Sequence, residues 1–336
     1  MSSYETLLES YDEEINLSNI TFEEVGNILE SLTEFVNEEL DMTVQISLQE
    51  AEEGEVAEKE NKFTAGAKRV LSSLVEKLKA FIEKIGDAIR KFVAKAKVVI
   101  AQGGNTAVAK IAANSKAKLG KEITLKTFSQ GPEASVKLMK LGIDAMKKAN
   151  EQMSRIAFNG DTESGSAAVE KAVDAFAEKL ENSPVMTDKK FEAGQGIKSI
   201  YNDNCKKYID AINSELKNLE AQVKNAQQAS KTAIKTIQKL QNTDKAVKSA
   251  NITAVSKTCA LAMKINTYSV NYAASLLGIA AKNGAKLALA AVGEDGKKLA
   301  GNVKAKGTDL KNKGKNLTDK VKDKLPKKAE KNEEAK

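Results

Sequence analysis

Hydrophobic residues recur along this chain at helical rather than strand spacing. A first stripe runs through Val25, Ile28, Leu29, Leu32, Phe35, Val36 and Leu40, with positions three and four apart sharing one helix face. Thr21 and Glu24 precede it in a capping-box arrangement, in which hydroxyl and carboxylate each satisfy a free backbone N–H. That stripe needs a partner, either within the chain or in an assembly. Met42, Val44, Ile46 and Leu48 then alternate with polar residues, which predicts extended chain, a short strand or an exposed linker. Residues 50–62 have no apolar face and predict a flexible junction.

Residues 66–100 carry the clearest amphipathic pattern. Leu71, Leu74, Val75, Leu78, Phe81, Ile82, Ile85, Ile89, Phe92 and Val93 line one face, and Gly103-Gly104 is the expected terminator. Shorter helices are predicted at about 105–119, 133–158 and 163–181, separated by Gly120, Gly131-Pro132, Asn159-Gly160 and Pro184. Residues 187–241 read as one long helix. Within it Ile209, Leu216, Val223, Ser230 and Ile237 repeat every seven residues. Ile212, Leu219, Ala226, Ala233 and Leu240 repeat three positions later. This a/d seam predicts a coiled coil or long helical hairpin. Gln241–Lys245 supplies the turn, and a second long helix spans about 246–292.

That second helix contains the 17 uncharged residues Ile265–Ala281, fewer than the roughly 20 a membrane span needs. Asn266, Ser269, Asn271 and Ser275 interrupt the run, so it predicts a buried small-residue helix. From Gly293 onward the pattern fades into a lysine-rich segment with too little apolar surface to offset ordering entropy, which predicts a flexible basic tail. The expected fold is therefore all-α: an elongated helical bundle or coiled-coil hairpin with a flexible acidic N-terminal leader and a basic C-terminal tail. Its expected parts are a leader (1–50), a junction (51–65), a basic helical region (66–185), a coiled-coil-like hairpin (186–292) and the tail (293–336).

Composition agrees with this reading and adds a division of charge. Of 336 residues, 4% are aromatic, none is Trp and three are Pro, a composition suited to long helices. The net charge is +7. Residues 1–60 hold 18 acidic residues and a single Lys, Lys59, whereas the rest carries a net +24. Such asymmetry points to a basic body suited to a polyanion, with an acidic segment attached to its end.

Few sequence features support chemistry. The chain has no His, which removes the usual general base and the commonest metal ligand. Cys205 and Cys259 lie 54 positions apart without a metal-binding or redox spacing. The glycines in "AQGGNTA" lack the Lys and Ser/Thr of a phosphate loop. No catalytic, metal or cofactor-binding residue is nominated, and a non-enzymatic protein is expected. The candidate polyanion-binding residues are Lys68, Arg69, Lys77, Lys79, Lys84, Arg90, Lys91, Lys95 and Lys97, on the polar side of the 66–100 helix. Lysines there would bind phosphates without reading sequence. Only three residues in the chain are Arg, and base-edge readout favours bidentate Arg. The same amphipathic helix also suits a lipid surface, so a membrane-active helical protein is one alternative. A coiled-coil structural scaffold that self-associates is another.

An acidic leader, a Glu-rich junction and a lysine-rich helical remainder together resemble the processed internal head (prohead core) proteins of tailed bacteriophages. In that family a leader directs the precursor into the prohead core, and a maturation protease cuts after Glu within an apolar-or-small, any, Glu pattern. Leu48-Gln49-Glu50 fits the apolar form, Ala51-Glu52-Glu53 the small-residue form, and Val56-Ala57-Glu58 lies beside them. The resemblance implies processing after Glu50, Glu53 or Glu58, with the first favoured. It implies capsid or core proteins as partners, non-specific association with DNA in the head interior, and ejection into the host cytoplasm for some members. A cut after Glu50 would remove 13 acidic residues and no basic one, moving the net charge from +7 to +20.

Overall fold

A computed structural model describes residues 27, 30–36, 65–105, 107–114, 116–128, 131–158, 162–181, 186–242 and 249–291. The capping box at Thr21, the alternating segment at 42–48, the candidate processing residues Leu48, Glu50, Ala51, Glu53 and Glu58, and the basic tail all lie outside these residues.

The described chain is all-α apart from one two-stranded ribbon. In order it forms α1 (Ala65–Asn105), α2 (Ala107–Ala113), β1 (Ile123–Phe128), α3 (Pro132–Ser154), α4 (Thr162–Glu181), β2 (Met186–Phe191), α5 (Ile197–Tyr201), a π-helical turn (Asn202–Lys206), α6 (Lys207–Gln241) and α7 (Ser249–Ala290). The expected apolar face of α1 is buried throughout except at Ile82, which is half-exposed. Gly103-Gly104 lies in the last turn of this helix, which ends at Asn105, one residue past the expected terminator.

The expected seam of α6 is buried from Ile212 to Ile237, and Ile209 and Leu240 are partly buried at its ends. The buried stripe is wider than an a/d seam, because Tyr208, Gln222 and Ala229 are buried too. A two-stranded coiled coil buries one narrow seam. Here α6 packs against α1, α3 and α7 together, so the α6–α7 hairpin lies within a multi-helix bundle. The boundary drawn between residues 185 and 186 does not separate two cores. α4 packs on α7, β1 pairs with β2, and α1, α3, α6 and α7 contribute to one hydrophobic cluster.

Two glycines permit these close approaches. A Cβ on Gly86 would lie 2.5 Å from Gln227 Nε2, whose amide donates to the Ile82 carbonyl at 2.9 Å and ties α6 to α1. A Cβ on Gly142 would lie 2.8 Å from Ser269 Oγ and 2.9 Å from Phe176 Cε2, where α3, α4 and α7 meet. α3 starts with Pro132 behind Gly131, whose φ of 83° suits glycine.

The predicted helix at 187–241 is corrected at its start. Residues 186–191 form β2, antiparallel to β1 from Ile123↔Phe191 to Phe128↔Met186. Ile123, Leu125 and Thr127 point inward and Lys126 outward, the period-two pattern of a half-buried strand. The predicted helix at 105–119 likewise stops at Ala113, and Lys118 and Leu119 make bridges to Gly196 and Ala291. The ribbon, α2, α5 and the end of α7 enclose a second, smaller core around Leu119, Leu125, Ile197, Cys205 and Leu287. Asn283 on α7 donates to the carbonyls of Lys126 (2.7 Å) and Asn204 (3.3 Å). It thereby anchors both the ribbon and the π-helical turn.

The uncharged run of α7 is inside the bundle, as expected of a buried small-residue helix. Asn266, Thr267 and Ser269 are buried along it, and Ser256 and Thr258 are buried earlier in the same helix. Among the described residues, no helix is long and apolar enough to cross a membrane.

The described part of the first apolar stripe, Leu32, Phe35 and Val36, packs within the chain. Residues 30–36 are helical. Leu32 and Val36, 0% and 1% exposed, belong to the main core, with Phe35 packed against it.

Candidate nucleic-acid interface

Because α1 is pinned to α6 and α7 by its apolar stripe, its remaining surface is set by the helical turn of about 100° per residue. Lys68, Lys79, Arg90 and Lys97 fall on one flank of the buried stripe, and all four are exposed. Lys77, Lys84, Lys91 and Lys95 fall on the other. Lys84, Lys91 and Lys95 are half-buried there and Lys77 is 9% exposed. Arg69, Glu76, Glu83 and Asp87 occupy the outward line between the flanks. Eight of the nine predicted residues therefore form two basic rows, and Arg69 lies on the partly acidic line that separates them, so there is no single continuous positive face.

Local ion pairs connect these rows to that line. Lys79 meets Glu76 at 2.8 Å, and Asp87 is shared between Arg90 (3.7 Å) and Lys91 (3.0 Å). Exposed pairs of this kind contribute about 0–1 kcal/mol, so a phosphate could displace them at low cost. The second row also touches the leader, because Lys84 Nζ lies 4.4 Å from the centroid of the Phe35 ring.

The structure assembles a second basic surface that the sequence reading missed. Lys116, Lys118, Lys121, Lys126, Lys189, Lys190, Lys198, Lys282 and Lys286 are exposed at the end of the molecule built on the smaller core. The matching acidic residues there are Glu122, Asp188 and Glu192. Lys126 pairs with Asp188 at 3.0 Å and Lys190 with Glu122 at 3.5 Å, while Lys286 donates to the Thr124 carbonyl at 2.8 Å. These lysines span 171 positions of sequence. The pairing of β1 with β2, the bridge from Lys118 to Gly196 and the packing of α7 bring them together, and these are contacts between segments distant in sequence.

The candidate seam residues lie inside the bundle and form no exposed site. Exposed Lys207 bridges Glu133 (2.7 Å) and Asp203 (3.1 Å). Its hydrogen bonds hold Glu133 below the usual carboxylate range and Lys207 above the usual lysine value. The pair joins the start of α3 to the start of α6. Among the described residues, no group of three or more His, Cys, Asp or Glu side chains is placed to hold a metal ion.

Both cysteines are buried as free thiols, Cys205 in the smaller core and Cys259 in the main one. Burial pushes each thiol up to about 12. A thiol raised in the folded chain binds more protons folded than unfolded across the intervening range. Its contribution is therefore fully present below the unfolded value near 8.5 and is lost as pH rises towards 12. Stability is expected to fall by about 1–2 kcal/mol per thiol between pH 8 and 10. Urea denaturation at both pH values tests this: the Cys205→Ala/Cys259→Ala variant should lose most of the pH slope, and an unchanged slope would refute the assignment.

No protein-family model matches the chain, and no curated protein or solved structure matches it either.

Proposed function

We propose that this chain is a non-enzymatic internal protein of a tailed-phage head, packaged as a precursor and converted by removal of its acidic leader into a DNA-associated basic body. The observation that carries this reading is the partition of charge. Residues 1–50 contain 13 acidic and no basic residues, while residues 51–336 hold 53 basic and 33 acidic ones. The exposed row of α1 (Lys68, Lys79, Arg90 and Lys97) and the lysine-rich ribbon end support it, since both present cationic groups to solvent, and such groups bind phosphates without reading bases. The partner is then DNA, bound through its phosphates without regard to sequence and with strong salt dependence. Capsid or core proteins and a maturation protease are the other partners of this reading, and the head interior is its location.

Intact-mass measurement on purified particles containing the chain is the direct test. The expected species begins at Ala51, or after Glu53 or Glu58. Finding only the full-length chain in mature particles would overturn the processing step.

A further inference from the structure

The buried side chains of the leader change what a cut in the junction would accomplish. Residues 30–36 are not a loose acidic tether. They form a helical segment whose Leu32 and Val36 are as deeply buried as the centre of α1, while Glu30, Ser31 and Glu34 face solvent. Phe35 lies between these faces, half-buried, beneath the ammonium of Lys84. The segment thus contacts the body in two ways. Its apolar side completes the main core, and its aromatic ring engages one lysine of the second basic row.

We propose that residues 30–36 act as a docked intramolecular ligand, so that cutting the junction yields a nicked two-fragment complex and leader release is a separate, later step. The body surface they occupy is a binding site for an acidic amphipathic helix, with apolar anchors at positions i and i+4 and an aromatic ring for Lys84. Backbone cleavage between residues 50 and 59 removes none of these contacts. The net charge therefore stays at +7 after the cut and reaches its basic value only when the helix leaves. Departure uncovers the apolar site and frees Lys84 from the Phe35 ring. The switch in charge is then governed by helix dissociation, which competition from a polyanion for the basic row would favour.

This inference deepens the leader-and-body reading, and its test is independent of natural processing. Residues 54–59 of the full-length chain are replaced by the recognition site of a sequence-specific protease, and the purified protein is cut under native conditions. Wild-type leader and body should co-elute in equal amounts from a gel-filtration column at micromolar concentration. The nicked complex should also leave a cation exchanger with the uncut chain. Leu32→Asp/Val36→Asp, cut in the same way, should release the leader, with affinity weakened at least about 100-fold. Its body should elute later from the cation exchanger. Phe35→Ala, which leaves the deep anchors in place, should show a smaller loss, and circular dichroism before cutting checks that each variant is folded. Free separation of the wild-type leader after the cut would overturn the proposal, as would equal retention of the leader in all three proteins. Neither result bears on whether particles contain a processed chain, and absence of processing in particles would not bear on the docked helix.

Discussion

Replacing Asn150 with alanine is expected to destabilise the fold by about 3 kcal/mol, more than the loss of one hydrogen bond would cost. Asn150 and Asn266 are 4% and 0% exposed at the centre of the bundle. Asn150 Nδ2 donates to the Gln222 carbonyl at 2.9 Å. Asn266 Nδ2 donates to Asn150 Oδ1 at 2.8 Å and to the Ala262 carbonyl at 2.7 Å. One pair of amides thus fixes α3, α6 and α7 relative to one another. Truncating Asn150 leaves Asn266 with an N–H and a carbonyl oxygen buried without their partner, and it opens a void as well. The cost of an unsatisfied buried amide exceeds the net gain of a satisfied one.

A double-mutant cycle in urea separates these contributions. Asn150→Leu and Asn266→Leu should each be strongly destabilising, because each strands the other amide. The double substitution should recover about 1–2 kcal/mol relative to the sum, because no polar group is then left unpaired. Strict additivity of the two single effects would show that the amides do not act as a unit.

The helices were readable because each carries a sustained period. The 66–100 stripe became α1, the region near 163–181 became α4, and the apolar run from 246 became α7. Gly103-Gly104 marks the end of α1 to within one residue, since glycine costs about 1 kcal/mol in a helix interior and the helix stops at Asn105. What the local pattern did not carry was pairing between distant segments. Met186–Phe191 reads "MTDKKF", which has no alternation to mark a strand. Its strand character comes from pairing with "ITLKTF" some 60 residues earlier, a non-local fact. The heptads of α6 were real in position, yet they indicated one partner helix where the fold supplies three. The buried Gln222 and Ala229 that widen the stripe are polar or small, and a hydrophobic count passes over them. Gly86 and Gly142 carry no local signal for a similar reason, because their roles lie in the neighbour that fills the missing Cβ.

The candidate interface was legible only where it was local. All nine basic residues of α1 lie on its solvent side or flanks, as a single amphipathic helix requires. The acidic line between them follows from Glu76, Glu83 and Asp87 recurring at intervals of seven and four, the same arithmetic applied to the opposite sign of charge. The lysines of the ribbon end were invisible because their proximity depends on a sheet that the helical reading did not contain.

On the proposed reading, the triple variant Lys79→Ala/Arg90→Ala/Lys97→Ala should lower DNA affinity of the full-length chain by about 100-fold at 0.15 M salt. Each phosphate contact releases close to one counterion, so removing three should also reduce the slope of log K against log salt by about 3. These three side chains are exposed on one flank of α1 and lie apart from the row that carries Lys84, so their loss should leave the docked leader in place. A matching triple at the ribbon end, Lys189→Ala/Lys190→Ala/Lys198→Ala, removes the same charge from the other basic surface. Titration of both variants with a mixed-sequence duplex at two salt concentrations therefore locates the contact and does not merely record a change in net charge. Equal effects from the two triples would mean that DNA senses overall charge alone. A loss confined to the ribbon triple would move the interface from α1 to the smaller core. If neither triple changes the affinity or its salt slope, lysine-rich faces serve solubility, and the polyanion-binding role falls with them.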